Sequence, residues 1–547
     1  MRERSSKTRI FGEIKSGIWL SVATCFMLFL YAPLELLFTN QDEFWFDAYI
    51  LVPIMLVVFV IVCIVSVLAC MLLVKLGNKA YQVGLALYFA AFIGLYIQGN
   101  FLTAGLPPLD GETIDWSRYT DERIKSLVLW VIAAAVVAVF FRKLKRQTFE
   151  TLVKVVSICM TLMLGVTLLT LALTNQGFEK KPSLSITTEN MFQMSQDTNF
   201  IILLLDAVDG QAVSDMLKSN PEYQDIFTDF TYYDNVMAAY PYTKHSIPFI
   251  LSGQWFENET EFVDYEIAAY AASPFFASME EREYRMGVYE AELLLNDDGL
   301  GRFENVLPNA RDVADKWAFA RWQVIMTGFK YAPYDLKRFC FVNPNAFNEL
   351  KITPEGRTLF TPSNSDFYRS VLDEEIDYTD RKCFKFIHLD GGHLPFIYDE
   401  NVNVIENGTY EGNLQACMTL TGAYLDKLKD AGVYDNSVII VMADHGFAWE
   451  DIHDRQNPIL FVKGIDEEHE FSVADAPISF VDLQEAYQRL LSGTDGEAIF
   501  DWQSGDSRER RFLFHEYLNE DYMVEYMQTG PAHDKNTMYE TGNVYSR

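Results

Sequence analysis

The chain has 547 residues, 50% of them hydrophobic, and 44 Lys+Arg against 76 Asp+Glu give a formal net charge of −32. That length exceeds one ordinary domain and can bury a large core, while 14% aromatic and 22% charged residues exclude a disordered chain. The acidic balance excludes nucleic acid as an obvious partner, because a phosphate-binding surface needs clustered positive charge.

The charge is divided unevenly. Residues 1–174 hold 15 Lys+Arg and 12 Asp+Glu, a net of +3, and the rest holds 29 and 64, a net of −35. Five apolar stretches occupy the first part: Gly17–Phe38, Tyr49–Val74, Val83–Leu102, Leu127–Phe141 and Val153–Leu173. About 20 apolar residues cross ~30 Å of hydrocarbon, so these predict a five-span membrane domain over 1–174. Arg2, Arg4, Lys7, Arg9 and Lys15, then Lys75 and Lys79, then Arg142–Arg146 flank alternate ends of the spans. The intervening loops carry Asp42, Glu43 and Asp47, then Asp110, Glu112, Asp115, Asp121 and Glu122. The positive-inside rule places the N-terminus in the cytoplasm and everything beyond the fifth span outside, in a multi-pass cell-membrane protein.

Residues 175–196 are polar, contain Pro182, and predict a juxtamembrane linker. An α/β domain is expected over 197–547. Phe200–Leu205, Phe384–Leu389, Val438–Ala443 and Ile459–Val462 are continuous apolar runs, the pattern of strands buried on both faces of a parallel sheet. Asn413–Lys429, closed by Gly432, and Phe480–Leu491 are helical candidates. Alternation of the two element types predicts helices on both sheet faces. Cys340, Cys383 and Cys417 are the three cysteines beyond the spans, so at most one disulfide is expected there.

Ligands of open parallel sheets bind beyond the carboxyl ends of the strands. The first strand ends in Asp206, the second in Asp390-Gly-Gly-His393, and the third in Asp444-His445-Gly446. His245, His388, His393, His445 and His453 fall in or beside such ends. Two carboxylates and an imidazole converging from separate strands suit a divalent metal with mixed O and N ligands, Mn or Zn rather than Ca or Mg. Taken alone, an Asp after a strand is more often a turn or helix cap. The segment Ala238–Gly253 places Thr243, Lys244, Ser246 and Pro248 before an apolar helical run. Its hydroxyls are expected at or just before a helix N-terminus, where exposed N–H groups favour a phosphoryl group; the competing reading of Thr243 and Ser246 is simple helix capping.

Five spans, a strand ending in an acid, Thr243-x-x-Ser246-x-Pro248, the GGHLPF loop (Gly391–Phe396) and the Asp444-His445-Gly446 loop resemble the membrane-anchored phosphotransferases of the alkaline phosphatase/sulfatase superfamily. Lipoteichoic acid synthases and lipid A phosphoethanolamine transferases are examples. The resemblance implies an alkaline phosphatase-like α/β/α sandwich outside the membrane. It also implies a threonine nucleophile at Thr243 and one divalent metal, with room for a second, on Asp206, Thr243, Asp444 and His445. His393 matches the histidine that contacts the transferred phosphate, and His388 and His453 are the second-metal or substrate groups it suggests, with a packed core histidine as the competing reading of His388; Lys244 and Ser246 are candidate substrate-binding groups. The implied reaction moves a phosphoglycerol or phosphoethanolamine head group from a phospholipid donor to an envelope glycan or lipid through a phospho-threonine. Asp206-Ala207 lacks a sulfatase's paired aspartates, and no arginine follows Pro248 at the sulfatase position. A membrane-tethered sulfatase- or phosphodiesterase-type hydrolase is the first alternative and a non-catalytic envelope binding protein the second.

Overall fold

The computed structural model describes residues 14–40, 44–107, 114, 116–175, 177–178, 184–296, 299–308, 312–342, 344–352, 356–448, 455–516 and 519–546. The chain forms two units, residues 1–183 with 310–352, and residues 184–309 with 353–547.

The first unit contains five helices long and apolar enough to cross a membrane: α1 (Lys15–Thr39), α2 (Ala48–Leu76), α3 (Asn78–Phe101), α4 (Trp116–Lys143) and α5 (Arg146–Thr174). The five apolar stretches read from the sequence lie within them, save Leu102. Each helix runs beyond its apolar core because polar residues continue the backbone ladder where water is available. α1 carries a π-turn at Met27–Tyr31, immediately before Pro33, a common place for the ladder to be interrupted. α2 is 29 residues, about 43 Å at 1.5 Å per residue. It leaves Leu56, Val57, Val60, Ile61, Ile64, Val65, Leu68 and Leu72 exposed, a surface stable only where the solvent is itself apolar. Residues 2–9, 42–43, 110–112 and 115, which entered the orientation argument, lie outside the described residues.

Residues 310–352 belong to this helical unit, whereas composition alone assigned them to a domain spanning 197–547. Their helix, Lys316–Tyr331, is started by Asp315, whose side chain accepts from the Trp317 and Ala318 N–H groups. Lys330 pairs with Glu35 at 2.5 Å. Trp45 Nε1 donates to the Phe347 carbonyl at 2.8 Å, and the Tyr334 N–H donates to Ser126 Oγ at 3.1 Å.

The second unit is built on a seven-stranded sheet. Its strands are β1 (Asn199–Leu205), β2 (Thr231–Tyr233), β3 (Arg285–Tyr289), β4 (Cys383–Leu389), β5 (Ser437–Met442), β6 (Leu460–Lys463) and β7 (Ser472–Ala474). The order is β7-β2-β6-β5-β1-β4-β3. β3, β4, β1 and β5 are mutually parallel, and β6 alone runs opposite to its two neighbours. Every residue of β1, β4 and β5 is buried, which explains their uninterrupted apolar sequences. Helix α6 spans Thr243–Ser252, and α7 (Tyr410–Asp430) follows β4. α7 is capped by the Thr409 side chain on the Gly412 N–H and closes before Gly432 at φ +66°. The predicted helix at 480–491 is observed as a 3-10 turn, Phe480–Asp482, running into Leu483–Leu490.

Part of the expected linker is ordered into strands. Leu184–Ile186 pairs antiparallel with Val306–Pro308, and Gln193–Ser195 pairs parallel with Asp377–Thr379. A three-stranded antiparallel sheet, β8 (Arg510–Glu516), β9 (Asn519–Gln528) and β10 (Met538–Ser546), ends the chain. All seven cysteines are unbridged.

Leu203→Ala, in the fully buried centre of β1, is expected to cost about 2–5 kcal/mol in chemical denaturation. Val473→Ala, on edge strand β7 and 57% exposed, should stay within about 0.5 kcal/mol of the parent protein.

Candidate metal and nucleophile site

Strand register brings the acids together. Met442 of β5 stands level with Leu204 of β1, so two residues further on Asp444 stands level with Asp206. On the other side Leu204 is level with His388 of β4, and Ile387 with Tyr289 of β3. Asp444, Asp206, His388 and Glu290 therefore come from four adjacent parallel strands.

The turn after β1 separates capping from ligation. Asp209, not Asp206, caps the next helix, accepting from the Ala212 N–H at 2.8 Å. Asp206 is left facing the strand-end space. Ala207 adopts φ +54°, a conformation uncommon for a residue with a Cβ and often found at functional sites. In that conformation its N–H donates to Asp444 Oδ1 at 3.1 Å. The His445 N–H donates to the same oxygen at 3.0 Å. Asp444 Oδ2 and Asp206 Oδ1 are then buried without a hydrogen-bond partner. His445 Nδ1 lies 2.7 Å from the Gly446 carbonyl, so the hydrogen of the neutral ring sits on Nδ1. The Nε2 lone pair faces Asp444 Oδ2 at 3.3 Å and Asp206 Oδ1 at 3.7 Å.

Thr243 could serve simply as a helix cap. Tyr242 occupies that position and no side chain caps the helix. Thr243 is the first residue of α6, and its hydroxyl lies 3.3 Å from Asp206 Oδ2 and 3.4 Å from His445 Nε2. Pro248 sits in the second turn rather than the first, because the helix begins earlier than its apolar run. Ser246 is fully buried and donates to the Tyr240 carbonyl at 3.2 Å. Lys244 Nζ lies over the Phe262 ring, 4.9 Å from its centre. His245 is also buried, 3.2 Å from His515 of β8. Burial first, and the neighbouring His515 next, push its pKa well below the usual histidine value.

His393 is exposed beside the cluster, with Nδ1 2.5 Å from the Leu394 carbonyl. His453 lies outside the described residues. His388 is buried between two acids: Nδ1 is 2.5 Å from Glu290 Oε2 and Nε2 is 3.7 Å from Asp206 Oδ2. Burial opposes protonation of His388, but the Glu290 and Asp206 carboxylates outweigh it and raise its pKa well above the usual value. Burial likewise opposes ionisation of Asp206, yet His393, His388 and His445 together hold its carboxyl below the usual carboxylate range. Burial and the Asp206 charge push Asp444 upward.

Several positioning groups escaped the sequence reading. Glu290 follows β3 directly, so the strand-end rule applied to Arg285–Tyr289 would have found it. Asn364 grips Gly391 twice, accepting from its N–H at 2.8 Å and donating to its carbonyl at 2.9 Å. Tyr410 donates to the Ala207 carbonyl and accepts from the Asp209 N–H, both at 2.9 Å. Gly391 has φ +55°, and a Cβ there would fall 2.4 Å from the Asp206 nitrogen. Asn and Tyr at these positions carry no local signal of their partner.

Asp206, Asp444 and His445 place one ligand atom each within 4.8 Å of one another, all three residues buried. Two orphaned carboxylate oxygens and an imidazole lone pair fit a divalent cation, and the oxygen–nitrogen donor set fits Mn or Zn. Without a cation, two like charges would share a buried space.

No family model matches the chain, and no curated protein sequence matches it. Similar solved structures include an alkaline phosphatase superfamily protein from Vibrio parahaemolyticus, at 14% identity, 66% coverage of this chain and 85% of that one, and TM-score 0.35. The lipoteichoic acid synthase LtaP from Listeria monocytogenes is similar at 14% identity, with 61% and 85% coverage and TM-score 0.36. A phosphonate monoester hydrolase from Silicibacter pomeroyi is similar at 12% identity, with 63% and 88% coverage and TM-score 0.33.

Elemental analysis of the purified protein should find Mn or Zn, and Asp444→Asn should remove it. Acidification should release it, since protons compete for the carboxylates and imidazole. Glu290→Ala, which strips a buried imidazole of its carboxylate, is expected to cost about 3–5 kcal/mol in denaturant titration.

Proposed function

We propose that this chain is a membrane-anchored, metal-dependent phosphotransferase of the alkaline phosphatase/sulfatase superfamily. It carries a phospholipid head group, phosphoglycerol or phosphoethanolamine, to an envelope glycan or lipid. One observation carries the reading: the Thr243 hydroxyl stands at an uncapped helix N-terminus, within 3.4 Å of both Asp206 and His445, where two buried carboxylate oxygens lack partners. A structural threonine would cap its helix; this one faces the cluster. The donor set supports a resident divalent metal held by Asp206, Asp444, His445 and Thr243. When bound, such a metal lowers the pKa of a coordinated hydroxyl and offsets phosphoryl charge.

The chain's own residues divide the remaining work. Asp206 Oδ2 accepts the hydrogen bond of Thr243 and orients the hydroxyl for attack. The Thr243 hydroxyl gives its proton to water and its oxygen forms a bond to phosphorus as the bond to the diacylglycerol oxygen breaks; when the acceptor attack releases the threonine, its oxygen takes a proton back from water. His393, exposed at the edge of the cluster, gives the departing oxygen its proton and recovers one from the acceptor hydroxyl in the reverse attack. The N-terminus of α6 supplies a favourable dipole for the equatorial oxygens. Glu290 holds His388 in the orientation that presents Nε2 to Asp206. In this reading the five helices keep the enzyme beside its lipid donor, with the N-terminus cytoplasmic and the second unit on the outer face.

Protein trapped with a labelled phospholipid should carry a phosphoryl adduct on Thr243, located by peptide mass spectrometry, and the adduct mass names the head group. An adduct on another residue would overturn the assignment. Diacylglycerol release that requires a glycan acceptor would establish transfer, and equal release with water alone would establish hydrolysis. Thr243→Ala should lower either activity by at least ~10³-fold, the loss typical of removing a nucleophile that acts with its base.

A further inference from the structure

The helical unit contains a cavity of about 540 Å³ between the start of α2 and the Lys316–Tyr331 helix, within the range of small-molecule sites. Ile50, Ile54, Val57 and Val58 form its apolar wall, and Asp312, Lys316 and Trp317 lie at its polar side. We infer that this cavity is a binding groove for one membrane phospholipid, with an acyl chain along α2 and the phosphate at Lys316. The inference stands on the helical unit alone and holds whether or not the Thr243 cluster transfers a head group.

Depth supports the occupant. α2 begins after Asp47, whose side chain accepts from the Tyr49 and Ile50 N–H groups. Val58 is eleven residues further on, about 16 Å along the axis, close to half of the ~30 Å hydrocarbon thickness. The wall therefore spans roughly one leaflet, measured from the end of the helix where head groups lie. Val57 is 52% exposed and Trp317 is 72% exposed, so the groove is open to its surroundings. Those surroundings are hydrocarbon, because the neighbouring Leu56, Val60 and Ile61 are also exposed.

The polar side fits a phosphate. Lys316 pairs with Asp312 at 2.8 Å, with side chains 59% and 47% exposed. Such exposed pairs are weak, so the ammonium can exchange Asp312 for a phosphate oxygen. A tryptophan and a lysine lining the groove beside the start of α2 also match the composition of a membrane interface.

The test uses the full chain in nanodiscs of phosphatidylcholine containing rising fractions of dibrominated phosphatidylglycerol. The chain has nine tryptophans, so the Trp317 signal is taken as the difference between the parent protein and Trp317→Phe. Trp317 should be quenched at bromolipid fractions well below those needed for the other tryptophans. Lys316→Gln should raise its half-quenching fraction about 5-fold, the value of one lysine near an anionic head group. Val57→Phe, which narrows the groove from an exposed wall position, should abolish the preference. Quenching of Trp317 in simple proportion to bulk bromolipid would overturn the site; this needs only the parent protein and Trp317→Phe, an exchange between aromatic rings at a position 72% exposed that leaves the fold intact. Equal preference for brominated diacylglycerol, which has no phosphate, would overturn the role of Lys316.

Discussion

Two carboxylates forced into one buried space organise the second unit. Asp206 and Asp444 end neighbouring parallel strands in register, and buried like charges persist only where opposite charge or hydrogen bonds hold them. The structure supplies part of this. Two backbone N–H groups bind one oxygen of Asp444, three imidazoles surround Asp206, and the remaining oxygens converge with His445. Ala207 at positive φ, Asn364 on Gly391 and Tyr410 on the Asp206–Asp209 turn keep the geometry in place. The backbone strain at Ala207 is offset by the Asp444 bond it creates.

That arrangement also resolves two competing roles for small polar residues. Asp206 and Thr243 both had local reasons to be helix caps. Asp209 takes the first cap and Tyr242 occupies the second capping position, so both side chains are released to the cluster. Ser246, three residues along the same helix and so about 4.5 Å further along its axis, turns to the Tyr240 carbonyl. The acidic balance of the chain meets its local counterweight here in imidazoles, a helix N-terminus and the metal the donor set fits. Lys244 contributes less directly, since its ammonium lies over Phe262.

The helical unit follows a different constraint. Its α2 exposes a continuous apolar surface, and the return segment 310–352 is tied to α1, to the residues before α2 and to α4 by polar contacts between Lys330 and Glu35, Trp45 and Phe347, and Tyr334 and Ser126. Polar contacts of this kind gain specificity in an apolar surrounding, where hydrocarbon offers them no competing partners.

The sequence by itself determined the elements whose solvent is uniform. The five apolar helices and the buried strands β1, β4 and β5 were legible because residues surrounded by hydrocarbon or by core must be apolar throughout. It also placed Asp206, Asp444, His445 and Thr243 as candidates, since strand ends and helix starts are local features. Tertiary structure alone decided which polar group serves a cap and which the cluster, that Glu290 stands behind His388, that Ser246 is turned away, and that 310–352 belongs with the helices. The Glu290–His388 pair, the gathering of Asp206, Asp444, His445 and Thr243, and the place of 310–352 depend on partners distant in sequence, brought near by strand register or helix packing, and no local pattern encodes the identity of those partners.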